Sequence, residues 1–325
     1  MAVRELSMIE ALNEALREEM ERDERVIVLG EDVGVLGGIY RVTKGLLELF
    51  GPERVIDTPI SEEGFVGASI GAALIGLRPV VEIMYADFLA NCMNQIVNFA
   101  SKIHYMTAGR LKVPIVVRAM VGHGRGHGGD HSQVPMTWFL NIPGLKIVSP
   151  ATPKDAKGLL KSSIRDDAPV LFFEPYILYR VKGPVPEGEY TIPLGKADTK
   201  RKGDDITIVA ISAMVPRALE AAEKLSQEGI EAEVIDPMTI SPMDWDAIIS
   251  SVKRTNRLVV VEYSPKSWGV GAEIAARVME EAFDYLDAPV VRVAAPDVPI
   301  PVSPALGKLT VPTAEDMIKA VKSIV

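Results

Sequence analysis

Two adjacent acids, Glu62 and Glu63, stand at the head of a run of small and apolar residues that ends at Gly76-Leu77-Arg78-Pro79. Pro59 biases Thr58 away from helix, and Ser61 has the side chain of a helix N-cap. The acids then fall in the first helical turn, where a carboxylate complements the dipole. Gly64, Gly67, Gly71 and Gly76 recur at helical spacing. Each mid-helix glycine costs about 1 kcal/mol relative to alanine, which makes sense where another backbone approaches closely. The segment is apolar nearly all round, so a buried helix is expected. A glutamate at the head of such a helix is a candidate for chemistry. The plainer reading is that both acids only serve the helix dipole.

A second acid pair, Glu31 and Asp32, follows the short apolar run Val26 to Leu29, just past the carboxyl end of an expected strand. In open α/β sheets that edge is where ligands bind; ordinary loop solvation is the alternative. The third stretch is Gly122-His123-Gly124-Arg125-Gly126-His127-Gly128-Gly129-Asp130-His131-Ser132-Gln133. Its three histidines lie four apart, which on a helix would make a metal-binding face. Five glycines in eight residues work against a helix there. Gly124, Gly126 and Gly129 formally match a dinucleotide fingerprint, but Pro135 arrives before a helix can form, and no strand-end acid follows. What remains is a mobile loop presenting a histidine, His131, beside Ser132 and Gln133, or a merely solvated loop.

The elements that must position these groups alternate. A capping box at Ser7 and Glu10 opens an amphipathic helix over residues 7–22. A helix near 43–50 stops at Gly51-Pro52, and strands are expected at 55–56 and 80–85. A long helix then runs past Phe88 to about 106; Phe88 reads as a core aromatic. Strands follow at 113–118, 145–148 and 170–173, with a helix over 153–165 capped by Thr152. Residues 182–203 are rich in Pro, Gly and charge. Beyond them come strands at 206–211, 232–235, 258–261 and 290–293 and helices near 214–228, 244–252, 269–286 and 313–323. The expected fold class is α/β, with two parallel-sheet domains. The first spans 1–185, a linker 186–203, and the second 204–325.

Composition agrees. At 325 residues the chain has room for two domains. A formal net charge of −9 argues against a nucleic-acid binder. The single cysteine, Cys92, excludes a disulfide framework and suits a reducing, cytoplasmic setting. The longest apolar run, Val66 to Leu77, is too short to span a bilayer, so no membrane partner is expected.

Taken together, the motifs resemble a known family. Gly30-Glu31-Asp32-Val33, Asp57-Thr58-Pro59-Ile60-Ser61-Glu62, Gly76-Leu77-Arg78-Pro79, Asp130-His131-Ser132-Gln133, Pro143-Gly144-Leu145-Lys146 and Asp155-Ala156-Lys157-Gly158-Leu159 resemble the beta subunit of the thiamine-diphosphate-dependent first component of 2-oxoacid dehydrogenases. That family is a branch of the transketolase superfamily, and the resemblance covers residues 5–325. It implies a pyrimidine-binding domain, a transketolase-like C-terminal domain, and an α2β2 enzyme that decarboxylates a small 2-oxoacid, pyruvate or branched-chain. The acyl group would pass to a dihydrolipoyl acyltransferase core docked on the C-terminal domain. It assigns Glu62 to the cofactor's aminopyrimidine nitrogen, where a carboxylate favours the tautomer that deprotonates the reactive carbon. It assigns Phe88 to the ring face, and Glu31 and His131 to the active-site wall, with His131 as the second catalytic group. It also implies a potassium ion on the backbone carbonyls of Ile115, Ser163, Asp166 and Ala168. Transketolases hold the cofactor's diphosphate through magnesium with a Gly-Asp-Gly motif, and no such triplet occurs here. An alpha partner is therefore expected to carry the diphosphate and its magnesium. An acetoin-cleaving dehydrogenase subunit of the same family, or a non-catalytic scaffold of the same fold, is the alternative.

Overall fold

The computed structural model describes residues 3–122 and 126–325. The chain forms two compact units, one of residues Met1–Gly122 with Trp138–Leu194, the other of His123–Thr137 with Gly195–Val325.

In the first unit, β1 (Val3–Ser7) leads into α1 (Met8–Arg22), closed at its head by the Ser7/Glu10 capping box. Then follow β2 (Val26–Gly30), α2 (Leu46–Phe50), β3 (Val55–Asp57), α3 (Glu62–Leu74), β4 (Arg78–Ile83), α4 (Ile103–Met106), β5 (Val116–Val121), β6 (Lys146–Val148), α5 (Pro153–Arg165), β7 (Val170–Pro175) and β8 (Lys182–Pro186). Within this unit the parallel strands lie in the order β6-β7-β5-β4-β2-β3. β2, β4, β5 and β7 are buried at every position, as strands covered on both faces must be.

The second unit holds β9 (Asp198–Arg201), β10 (Ile206–Ala210), α6 (Val215–Ser226), β11 (Ala232–Asp236), β12 (Thr239–Ser241), α7 (Trp245–Thr255), β13 (Leu258–Pro265), α8 (Val270–Ala282), β14 (Val291–Ala295), α9 (Pro304–Gly307) and α10 (Ala314–Lys322). Its sheet runs β14-β13-β10-β11-β9, parallel except for β9. No helix among the described residues is long and apolar enough to cross a membrane.

Four local expectations are corrected. The long helix after Phe88 changes pitch: a 3₁₀ stretch at Ala86–Cys92 widens to a π-helix at Gln95–Ala100 before α4. The strand expected at 113–118 starts at Val116, because Pro114 has no N–H for the ladder. The Pro- and Gly-rich stretch after residue 181 is not all linker. β8 pairs antiparallel with β1, and β9 joins the second sheet, which edge strands permit even with proline. Ser61 does not cap α3 through its side chain; its hydroxyl donates to the Pro59 carbonyl at 3.2 Å.

α3 also departs from the buried helix expected. Phe65, Val66, Ser69, Ile70 and Ala73 are buried, whereas Glu63, Gly64, Ala68 and Gly71 are exposed and Ile75 is 84% exposed. A Cβ added at Gly71 would meet nothing within 4 Å. The glycine face is thus open, not filled by this chain.

α1 and α5 are locked by ions. Lys157, fully buried, donates to Glu14 and, at 2.7 Å, to Glu18; Lys161 bridges Glu18 at 2.6 Å. Burial alone would push the Glu14 carboxyl up, but hydrogen bonds from Lys157 and Arg4 outweigh it and hold its pKa at about 2. Lys157→Met should cost about 2 kcal/mol, the usual worth of hydrogen bonds to charged groups, because Glu14 keeps Arg4 and Glu18 keeps Lys161. A carboxyl depressed in the folded state contributes stability above its unfolded value of 4.5 and loses it as pH falls toward 2. Urea unfolding at pH 7 and pH 3 should show the gap between wild type and variant shrinking at pH 3.

Candidate active site

The acids converge on the carboxyl edge of the first sheet. Gly30, the last residue of β2, lies in register with Asp57 of β3 and Glu82 of β4. The Thr58 N–H donates to the Gly30 carbonyl at 3.0 Å, tying the two loops together where they leave the sheet. Asp57, not singled out from sequence, clamps the loop after Glu31. Its carboxylate accepts from the Gly34 N–H at 2.6 Å and the Val35 N–H at 3.2 Å. Glycine is needed at 34 because a Cβ there would sit 2.7 Å from Asp57 Oδ2.

Glu31 and Glu62 are brought together. Both are buried at 7% exposure. The Glu31 carboxyl is pushed up, first by burial, then by the Glu62 charge, then by Asp32. Glu31 Oε1 and Thr58 Oγ1 are buried with no hydrogen-bond partner among the described residues. Unpaired buried oxygens are costly, so the edge is built for donors from outside the chain. Thr58, named in the sequence for its place before Pro59 and within a motif, was given no site role there, because a threonine before proline carries no chemical signature of its own. Glu63 is a separate case: it is exposed and accepts from Gln95 Nε2 at 3.0 Å.

Phe88 lies beyond β4 at the same edge, half-buried, its ring edge-on to Tyr85 at 5.7 Å. Cys92 is fully buried, and burial, then the Glu62 charge, pushes its thiol up to about 12, which makes it inert.

His131 belongs to the second unit. Its Nδ1 lies 3.2 Å from Asp130 Oδ1, and this hydrogen bond lowers the Asp130 pKa. The His127 ring stands edge-on to it at 6.3 Å. The loop leans on residues 299–302: Cβ atoms built at Gly128 and Gly129 would approach Val302 Cγ2 at 3.1 Å and Pro299 Cβ at 3.4 Å. His123 lies outside the described residues.

The carbonyls assigned to potassium cluster at the opposite, amino edge of the first sheet. The Ile115 carbonyl accepts from Val170 N–H at 2.9 Å and that of Ser163 from Asp166 N–H at 3.3 Å. Arg78 donates to the carbonyls of Ile164, at 2.7 Å, and Asp166, and so already brings a cation to this loop.

A parallel α/β unit with paired acids at its carboxyl edge, followed by a second parallel α/β unit, defines a class. Residues 4–182 match the transketolase pyrimidine-binding domain and residues 195–317 the transketolase C-terminal domain. A solved chain described as a split-gene transketolase in an inactive beta4 tetramer superposes with a TM-score of 0.82 at 24% identity, covering 98% of both chains, and so shares the fold. The pyruvate dehydrogenase E1 component subunit beta of Rickettsia felis is 49% identical over 320 residues, 98% of each chain. The acetoin:2,6-dichlorophenolindophenol oxidoreductase subunit beta of Bacillus subtilis is 46% identical over 327 residues, 97% of this chain and 96% of that one. The chain belongs to this family of transketolase-type dehydrogenase beta subunits.

Proposed function

We propose that this chain is the beta half of a thiamine-diphosphate-dependent 2-oxoacid dehydrogenase, which decarboxylates a 2-oxoacid and passes the acyl group to a lipoyl group of an acyltransferase core. The observation that carries this is the buried Glu31–Glu62 pair with an unsatisfied Glu31 oxygen, set at the edge of a pyrimidine-binding unit.

The residues present fit such a group. An aminopyrimidine offers hydrogen-bond donors to a site whose own buried oxygens, Glu31 Oε1 and Thr58 Oγ1, lack them. When bound, thiamine diphosphate supplies a nucleophilic carbon and an electron sink for decarboxylation. Glu62 would hold the proton relay at the pyrimidine ring nitrogen. Glu31, its pKa raised by burial and by Glu62, suits proton storage in the site wall. Phe88 would pack the ring face. His131, polarised by Asp130, would serve acid–base steps around acyl transfer. Magnesium and the diphosphate fall to an alpha partner in an α2β2 assembly. A potassium ion at Ile115, Ser163, Asp166 and Ala168 would have to use the second lone pairs of the Ile115, Ser163 and Asp166 carbonyls, which already accept hydrogen bonds.

The second reading, raised by the Bacillus subtilis relative, is acetoin cleavage by the same machinery. The test is to coexpress the chain with its alpha partner and follow dye reduction with pyruvate, 2-oxoisovalerate and acetoin. Pyruvate should give the highest turnover. Turnover with acetoin alone would transfer the assignment to the second reading, and none with any substrate would overturn both. His131→Ala should lower transfer to a lipoyl acceptor by about 10²-fold while cofactor binding persists.

A further inference from the structure

Next to the segment that carries Glu31 lies a buried charge cluster that the proposed chemistry leaves unused. Arg118, on β5, is 1% exposed. Its Nε and Nη2 donate to the two Glu174 oxygens on β7 at 2.7 and 2.9 Å, and its Nη1 donates to Glu82 Oε2 on β4 at 2.8 Å. The Tyr179 hydroxyl donates to Glu174 Oε2 at 2.6 Å. Two buried carboxylates thus share one guanidinium. Such clusters are poor stabilisers, because well-packed apolar residues of the same volume commonly do as well or better. Stability alone is a weak reason for this one.

Its contacts supply another. Gly38, at φ +76°, presses its backbone against the Glu82 carboxylate; a Cβ there would stand 3.0 Å from Glu82 Oε1. The Gly38 N–H donates to the Asp32 carbonyl at 2.8 Å, one residue from Glu31. Two residues further on, the Tyr40 ring packs on Tyr176 and Tyr179 at 5.3 and 5.4 Å. The Glu31–Lys44 segment is therefore held by Asp57 on one side and by the Arg118 cluster on the other. The charges that act on the Glu31 carboxyl are those of Glu62 and Asp32, so any influence of the cluster on it has to pass through the placement of the segment.

We propose that Arg118 is a positioning residue: with Glu82, Glu174 and Tyr179 it forms a fixed backing that sets the Glu31–Lys44 segment and aims the Glu31 carboxylate into the site. The value of that aim rests on the function proposed above; the rigidity of the segment does not.

The test compares Arg118→Met, Tyr179→Phe and Tyr40→Leu in the complex with the alpha partner. Tyr179→Phe deletes one hydroxyl and keeps the tilted ring contact with Tyr40. Amide hydrogen exchange across residues 31–44 should rise about tenfold or more in each folded variant, with β10 to β13 unchanged. Turnover should fall with little change in substrate KM, and the loss caused by Tyr179→Phe should vanish in a Glu31→Gln background, because the two act as one unit. A merely structural role would raise exchange throughout the first unit and add to Glu31→Gln. If Arg118→Met does not fold, the two tyrosine variants decide. Unchanged exchange in 31–44, or additive losses, would overturn the proposal. Faster exchange in a complex whose wild type turns over no 2-oxoacid would sink the functional reading and leave the positioning role standing.

Discussion

Glu62→Gln is expected to stop proton exchange at the cofactor's reactive carbon, with turnover down by roughly 10³-fold, within the usual reach of one acid–base group. Glutamine keeps the size and can still hydrogen-bond, but it is neutral and cannot accept a ring proton as a carboxylate does. The fold should survive: α3 begins without a side-chain cap from Ser61, and its inner face is anchored by Phe65, Val66 and Ile70. The matched control is Glu63→Gln. Glu63 is exposed and bonded to Gln95, so its loss should cost a few tenths to ~1 kcal/mol of stability and little activity. Removing the Glu62 charge should also lower the Glu31 pKa, since a like charge no longer opposes ionisation, although burial still raises it. Exchange is read by trapping the cofactor after deuterium labelling of the reconstituted enzyme. Near wild-type exchange in Glu62→Gln would remove Glu62 from the chemistry. Equal, small effects in both variants would mean that the two acids serve only the helix dipole.

The parts of the site that could be read from sequence were those whose position along the chain carries the signal. Glu31 follows an apolar run and Glu62 heads a helix, so each announces a strand end or helix start without knowledge of its neighbours. The buried strands were legible for the same reason, as largely apolar runs. Arg118 was passed over because its meaning depends on which strands flank β5, and only the sheet order puts Glu82 and Glu174 beside it. The one available cue was a charge inside the apolar run Val116–Val121. β8 was hidden by Pro184 and Pro186, which an edge strand tolerates. The glycine face of α3 was legible as a close-packing surface, and its openness in this chain fits the neighbouring-subunit helix expected there, since small residues mark close packing without saying which chain supplies the neighbour.

The second large effect concerns what this chain lacks. Titration calorimetry should find that the isolated chain binds thiamine diphosphate weakly and without regard to magnesium. Adding the alpha partner should tighten binding by about 10²-fold or more, ~2.8 kcal/mol. The diphosphate carries most of the cofactor's charge, and holding it takes a metal site or a phosphate cradle. No Gly-Asp-Gly triplet occurs in the sequence, and the described residues contain no group of three His, Cys, Asp or Glu side chains able to hold a metal. The chain instead offers a pyrimidine edge with unsatisfied oxygens and a helix whose Gly64, Gly71 and Ile75 face outward. A partner that packed a helix on that face would bring its backbone close to Glu62 at the helix head. Gly71→Leu should then weaken assembly and cofactor binding together, while the isolated chain keeps its melting temperature, because a Cβ at 71 meets nothing in this chain. Tight, magnesium-dependent binding by the beta chain alone would show that the diphosphate site lies here after all and would end the two-subunit reading. A Gly71→Leu chain that assembles normally would place the partner on another face and leave the calorimetric result to be explained without α3.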